Sequence, residues 1–216
     1  RGMRDNTVGS LSGLSTLITD CESAYILGLW CADGYFWSSS VGITNTNRKL
    51  VDRFAAYLKT LLPAERIKLR VYYPKGQCPL GLSTPNYPMR RAKQIAYQLY
   101  VNSRPLLRLF QEAEHTVVAL PSKYVLAYFA GRFDGDGSID KNLRNDLRIT
   151  YSNRKEALID QQILKGLDHY KTRVYHYRSA RTYILYVSRY SAGQFLHDIK
   201  PYSMKAQSLL PRRDSV

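Results

Sequence analysis

Cysteine is nearly absent from this chain. Cys21, Cys31 and Cys78 cannot all pair, and none belongs to a C-x-x-C arrangement, which excludes a disulfide framework and a redox or zinc motif built on cysteine. A reducing intracellular compartment is the expectation, either a prokaryotic cytoplasm or an organelle matrix. Histidine is equally sparse: His115, His169, His176 and His197 show no metal-ligand spacing and no resemblance to an HNH nuclease, so they are expected at the surface or on sheets. No apolar run reaches the roughly 20 residues needed to cross a bilayer, because Asp33 interrupts the best stretch, Ala24 to Ala32. The first twenty residues are polar with scattered leucine and do not read as a secretory leader.

Acidic residues are also in deficit, 17 against 32 Lys and Arg, for a net charge of +15. Such an excess favours a polyanionic partner, since each cation set near a phosphate releases counterions. Charge alone leaves a basic ribosomal or surface protein equally open. With 216 residues, 44% hydrophobic and 23% charged, the chain can bury a core as one large domain or two small ones and is not a disordered polymer.

The chain repeats itself. Tyr25-Ile26-Leu27-Gly28-Leu29-Trp30-Cys31-Ala32-Asp33-Gly34 is echoed by Tyr128-Phe129-Ala130-Gly131-Arg132-Phe133-Asp134-Gly135-Asp136-Gly137, 103 residues later. Ile43-Thr44-Asn45-Thr46-Asn47-Arg48-Lys49 is echoed by Ile149-Thr150-Tyr151-Ser152-Asn153-Arg154-Lys155. Tyr97-Gln98-Leu99-Tyr100-Val101 is echoed by Tyr183-Ile184-Leu185-Tyr186-Val187. Three echoes in one order point to internal duplication. We divide the chain into residues 1–117, an N-terminal tail and first repeat, and 118–216, the second repeat.

Each repeat reads α-β-β-α-β-β-α. A helix (about 22–33 and 122–134) ends at the Asp-Gly, where Gly34 and Gly137 suit a left-handed closing residue. A strand follows near 41–46 and 146–152, after a shorter one. Asn47 and Asn153 then suit the N-cap of a second helix. Two further strands (66–73 with 93–101, and 171–178 with 182–188) and a closing helix complete the unit. Ala113 to Pro121 reads as a linker, and Gly76 to Pro88 as a long hairpin loop.

Strand alternation sorts the side chains. Ile67, Leu69 and Val71 face one way; Arg66, Lys68, Arg70 and Tyr72 form a cationic comb on the other. Lys171, Arg173, Tyr175 and Tyr177 repeat the pattern, and Gln94 and Gln98, with Arg148, Thr150 and Ser152, likewise oppose apolar neighbours. A solvated sheet face is the plain alternative, but amides, hydroxyls and cations in both halves suit a surface that reads nucleic acid. Ser38, Ser40, Thr44 and Thr46 complete the set of candidate DNA contacts. The many tyrosines mostly alternate into strands and are read as packing residues.

The helix pattern carries the chemistry. Gly28 and Ala32, like Gly131 and Gly135, lie four apart, so each helix presents a small-residue stripe on which another helix can pack closely. Side by side, the two helices would bring Asp33 and Asp136 together at two helix C-termini. Paired carboxylates there repel each other and oppose both dipoles, an arrangement relieved by a hard divalent cation with oxygen ligands. Asp134-Gly135-Asp136-Gly137-Ser138-Ile139-Asp140 is not a calcium loop, because an EF-hand needs Gly in the sixth place and Glu in the twelfth, where Ile139 and Asn145 stand. Cys31 has no accompanying His and is not a nucleophile candidate.

These two segments resemble the doubled signature of the LAGLIDADG homing endonucleases in their single-chain form, and the likeness extends over nearly all of residues 22–210. The resemblance implies an α+β fold of two pseudo-symmetric repeats, antiparallel sheets forming a DNA-binding saddle, and motif helices packed at the centre. It implies a monomer that makes a double-strand break with 3′ overhangs in a long asymmetric DNA target, each Asp serving one strand across the minor groove. Asp33 and Asp136 are the implied metal ligands, joined by the backbone carbonyls of Ala32 and Gly135. Mg²⁺ is the implied cofactor, with Mn²⁺ or Ca²⁺ standing in for it in binding. Lys205 is matched to the basic residue near the attacking water in the second half; in the first half Arg104 and Arg108 are weaker matches.

Cys31 and Asp134 differ at the sixth motif position, and Arg132 stands where an apolar residue is usual; these departures would make the halves unequal, as an asymmetric target needs. The competing function is a maturase acting on its host intron RNA, or a non-catalytic DNA-binding regulator, on the same scaffold. An intein is disfavoured, since neither end shows a splicing Cys or Ser or a final His-Asn.

Overall fold

A computed structural model describes residues 16–35, 39–77, 84–139 and 146–209. The elements run α1 (Cys21–Asp33), β1 (Gly34–Tyr35), β2 (Ser40–Asn45), α2 (Arg48–Leu61), β3 (Lys68–Pro74), β4 (Asn86–Met89), β5 (Ala96–Asn102), α3 (Arg104–Thr116), α4 (Ser122–Asp136), β6 (Gly137–Ile139), β7 (Leu147–Tyr151), α5 (Arg154–Lys165), β8 (Thr172–Tyr177), β9 (Thr182–Val187), α6 (Arg189–Ile199) and α7 (Met204–Leu209). This is an α+β fold of two repeats in which the α-β-β-α-β-β-α order recurs, with an extra strand, β4, in the first half and an extra helix, α7, in the second. None of the described helices is long and apolar enough to cross a membrane. The described residues divide into two compact units, those up to Leu17 with those of Gly34–Glu112, and those of Ile18–Asp33 with those from Ala113 on.

In the first unit a five-stranded sheet has the order β1-β2-β5-β3-β4. Ile43 pairs with Leu99 and Leu99 with Leu69, so the odd-numbered residues of β2, β5 and β3 share the inner face. Val41, Ile43, Val71, Leu99 and Val101 are buried there with Leu50, Val51, Phe54 and Leu58 of α2. Burying each such side chain is worth about 2 kcal/mol. The Asn47 side chain caps α2 by accepting from the Lys49 N–H at 3.1 Å. Phe54 packs on Phe110 of α3, ring centroids 6.1 Å apart.

Two expectations fail in this half. The stretch read as a loop from Gly76 to Pro88 contains most of β4, which pairs in parallel with β3, Tyr72 opposite Tyr87; residues 78–83 lie outside the described set. Pro88 is tolerated because β4 is an edge strand. Nor is 113–121 a linker: α3 continues to Thr116, a 3-10 turn follows at Val117–Ala119, and Ala113 and Val117 are buried. Their apolar contacts hold the segment in place.

The second unit is built around α1 and α4, which pack along their lengths. Both are buried, α1 from Ser23 to Trp30 and α4 from Ala127 to Asp134, α1 with apolar residues on nearly every side and α4 with Arg132 and Asp134 among its apolar ones. A Cβ on Gly28 would collide with the carbonyl oxygen of Tyr128, and one on Gly131 with that of Tyr25. At Gly28 and Gly131, therefore, backbone meets backbone. The sheet has the order β6-β7-β9-β8, with Ile149 opposite Leu185 and Leu185 opposite Val174. Leu147, Ile149, Leu185 and Val187 are buried, α5 is capped by Asn153 accepting from the Lys155 N–H at 2.8 Å, and the last described elements are the helices α6 and α7.

The glycines after the motif acids do not close the helices in left-handed geometry. Gly137 has φ −81° and ψ 149° and opens β6, as Gly34 opens β1. Gly137 is needed for room: a Cβ there would strike the ring and carbonyl of Phe133.

Candidate active site

Asp33 and Asp136 are the last residues of α1 and α4. The close packing of those helices, which the glycines permit, brings the two acids together. Ala32 and Asp33 lie against Gly135, where an added Cβ would meet the Ala32 Cβ and come within 2.8 Å of Asp33 Oδ2. The Asp33 carboxylate thus sits in a notch that only glycine leaves open. Asp136 is pushed up to about 6, first by burial and then by the charge of Asp33, with Arg132 and Lys205 pulling the other way. Asp136 therefore resists ionising without further positive charge nearby.

The chemistry of this donor set suits a hard divalent cation: two carboxylates, and backbone carbonyls at helix ends that lack intrahelical partners. Among the described residues no group of three or more His, Cys, Asp and Glu is placed to hold a metal ion, so a metal at this place would rest on Asp33, Asp136 and the carbonyls of Ala32 and Gly135.

Lys205 reaches the same place from α7. Its Nζ donates to the carbonyls of Phe133 at 2.9 Å and Gly137 at 2.7 Å, and lies over the Phe133 ring. Burial lowers its pKa, opposed by Asp134, Asp33 and Asp136. Asp134 is buried and accepts from four donors: the hydroxyls of Tyr25 and Ser203 and the backbone N–H groups of Met204 and Lys205.

Arg132, 2% exposed, is one of the most buried side chains. Its guanidinium pairs with Asp160 at 3.1 Å and Glu156 at 3.4 Å and donates to the Cys31 carbonyl at 2.5 Å. Tyr128 and Tyr151 donate their hydroxyls to Asp160, and the Tyr151 ring lies under the guanidinium. The departure at Arg132 thus anchors the last turn of α1, and that at Asp134 holds α7; both carry structural work beyond making the repeats unequal. Burial pushes the Cys31 thiol up to about 12, so it carries no thiolate. The histidines keep to the outside, His169 and His197 beside Asp198 and His176 stacked on Tyr183.

Each unit carries its own sheet with a polar face. In the first, Thr44, Gln98 and Arg70 form one row across β2, β5 and β3, and Lys68 stands opposite Tyr100. Tyr72 donates its hydroxyl to Gln98 at 3.0 Å, and the Arg70 guanidinium stacks over Tyr100 at 4.8 Å. Ser40 bonds to Asn102 at 2.6 Å, and Thr46 is exposed in the bend after β2. Two expected members are misplaced. Arg66 lies in a 3-10 turn before β3 and donates to the Asn102 carbonyl, and Gln94 sits in a bend before β5. The strands start later than alternation suggested because Pro63 and the turn at 89–94 delay them. Ser38 lies outside the described residues. Arg104 and Arg108 are exposed on α3.

In the second unit Arg148, Tyr186 and Arg173 form a row, with Thr150, Ile184 and Tyr175 as its neighbour. Arg148 lies over the Tyr186 ring at 5.0 Å, Tyr175 meets the same ring edge-on, and the hydroxyls of Tyr177 and Tyr186 are 2.6 Å apart. Lys171, Arg189 and Tyr190 extend this into an open groove of about 850 Å³. Ser152 is exposed in the bend after β7. Tyr186 and Ile184 were missed as face residues, although the period-2 pattern of 182–188 points them outward once Leu185 is taken as inward.

No curated protein matches the sequence. Among solved structures the fold is similar to that of mesophilic variants from the homing endonuclease I-DmoI, with 21% identity and a TM-score of 0.58, covering 83% of this chain and 94% of that one. I-DmoI in complex with DNA and Ca is similar at 21% identity and a TM-score of 0.62, covering 88% and 96%. Full-length DUF199/WhiA from Thermatoga maritima is similar at 13% identity and a TM-score of 0.59, covering 90% and 61%. A model of the LAGLIDADG-like domain matches residues 20–113 and 123–200, which takes in both motif helices and both sheets. The chain belongs to the LAGLIDADG-like domain family.

Proposed function

We propose that this protein is a site-specific homing endonuclease, intron-encoded and monomeric, that makes a double-strand break with 3′ overhangs in a long asymmetric DNA target. One observation carries the reading: two acids end two tightly packed helices, with a lysine alongside and Asp136 held up to about 6. A fold or a basic surface alone serves a binding protein equally well; a binder has no use for two carboxylates forced together. The solved complexes of the similar I-DmoI with DNA and Mn or Ca are in keeping with this reading.

Asp33 and Asp136 with the carbonyls of Ala32 and Gly135 would hold divalent cation, Mg²⁺ by preference. When bound, such a cation supplies Lewis-acid activation of water and neutralises charge on the leaving oxygen. The residues of the chain do the rest. Lys205, its ammonium already donating to two carbonyls, has one N–H left to hydrogen-bond and so orient the attacking water or a phosphate oxygen. The cationic rows of each sheet hold the phosphates and read base edges.

Joining the sequences that flank the reading frame gives the expected target. A supercoiled plasmid carrying it should be linearised with Mg²⁺ and spared with EDTA. Asp33→Asn and Asp136→Asn should each abolish linearisation while leaving binding of the target in Ca²⁺ within a few-fold of wild type. Retained double-strand cutting by either variant would refute the assignment. Metal-independent binding of the host intron RNA with no cutting would point to a maturase.

A further inference from the structure

We propose that Asp134 is a positioning residue: its carboxylate caps helix α7 and thereby sets Lys205 beside Asp33 and Asp136. The role of Lys205 in this statement rests on the nuclease reading above; the capping itself does not.

Helix α7 has six residues, too few to sustain itself. Its first turn is held from outside. Asp134 Oδ2 accepts from the Met204 N–H at 2.8 Å, and Oδ1 accepts from the Lys205 N–H at 3.0 Å. Oδ1 also accepts from the Ser203 hydroxyl at 2.5 Å, whose oxygen in turn accepts from the Ala206 N–H at 2.9 Å. Three N–H groups that a short helix leaves bare are thus satisfied, two by the carboxylate and one by the serine it orients. Asp134 is 3% exposed and Ser203 fully buried, so water cannot take over these bonds.

The fourth donor, the Tyr25 hydroxyl at 2.8 Å, ties the same carboxylate to α1. Lys205 is then gripped twice by one stretch of α4: its backbone by Asp134, its ammonium by the carbonyls of Phe133 and Gly137. Asp136, the acid it serves, lies between those carbonyls in sequence. At the matching position of the other motif stands Cys31, a residue with no carboxylate to receive such bonds.

Asp134→Asn keeps size and shape but turns an amide donor toward a backbone N–H or a hydroxyl. Amide hydrogen exchange followed by NMR should show Met204, Lys205 and Ala206 exchanging at least about tenfold faster in this variant, with Ala127 to Gly131 unchanged. If Asp134→Asn fails to fold, Ser203→Ala removes one capping bond and should open the same amides less. Unchanged exchange across α7 in the variant that folds overturns the proposal.

The functional half is read by a double-mutant cycle on single-turnover cleavage. Lys205→Ala and Asp134→Asn should each slow cutting by about 100-fold or more, with target affinity in Ca²⁺ little changed. The combined variant should be no slower than Lys205→Ala, because Asp134 acts through that lysine. Multiplying losses would overturn the proposal, since they would mean Asp134 serves the fold or the acids independently. Faster α7 exchange in a protein whose wild type cuts no target would uphold the capping and sink the nuclease reading instead.

Discussion

Asp136 concentrates the tension at this site. Its carboxyl is held at about 6 against a normal value of 3.8, chiefly by burial and next by Asp33. A group whose folded pKa is raised contributes stability below its unfolded value and loses it as pH climbs through the folded one. In the metal-free protein, ionised Asp136 should therefore cost stability above pH 6, by roughly 3 kcal/mol at most. Asp136→Asn removes that cost. Urea unfolding in EDTA should show the variant more stable than wild type at pH 7.5, with the gap narrowing as pH falls from 6 toward 4. A variant less stable than wild type at pH 7.5 would contradict the electrostatics described above.

Arg132 makes the opposite case, a charge whose burial is matched by partners. Replacing it with Met leaves Asp160 stranded at 3% exposure and should cost about 3–5 kcal/mol. Asp160→Asn in the same protein removes the stranded charge and keeps an acceptor for the hydroxyls of Tyr128 and Tyr151. Arg132→Met/Asp160→Asn should thus recover part of the loss in thermal or urea unfolding. No recovery would mean that the damage lies in the freed Cys31 carbonyl or in lost packing, not in the charge.

Among the elements, the crossing of α1 and α4 decides everything about the site, and its glycines are not equivalent. A Cβ on Gly131 meets main-chain atoms, including the Leu29 nitrogen at 2.6 Å, which cannot yield without separating the helices. A Cβ on Gly135 meets the side chains of Ala32 and Asp33. Gly131→Ala should destabilise by about 1–3 kcal/mol or more. Gly135→Ala should fold with a smaller loss but displace the Asp33 carboxylate, abolishing cleavage and any Mg²⁺-induced rise in Tm. Equal loss of stability in the two variants would show that Gly135 also marks a backbone contact.

This crossing was legible in the sequence because its cause is local: Gly28 and Ala32, like Gly131 and Gly135, fall one helical turn apart, and Asn47 and Asn153 cap within two residues. Features set by distant partners were not legible. Asp134 finds α7 about seventy residues on, Arg132 finds Asp160 on α5, and β4 pairs in parallel with β3 across a loop that reads as turn chemistry alone. The left-handed reading of Gly137 failed for a related reason. Glycine is required there by the neighbouring Phe133 ring, not by its own φ.

At the scale of the whole molecule, the charge of +15 can be divided by what each cation does. The guanidiniums of Arg70 and Arg148 lie over the rings of Tyr100 and Tyr186, which restrains them, while Lys171 is exposed at the groove margin. Stacked arginines suit base edges and free lysines suit phosphates. Counting Lys68, Lys171, Arg173 and Arg189 as the cations left for phosphates, log Kd against log salt should have a slope of magnitude about 4. Lys171→Ala should weaken binding to all sequences alike and reduce that slope by about 1, whereas Arg148→Ala should change it little and relax preference at one base pair of the target. Salt titrations by fluorescence anisotropy, on the target and on a single-base-pair substitution series, separate the two. A uniform loss from Arg148→Ala with an undiminished preference at every position would show that its stacking on Tyr186 serves the sheet and not the DNA.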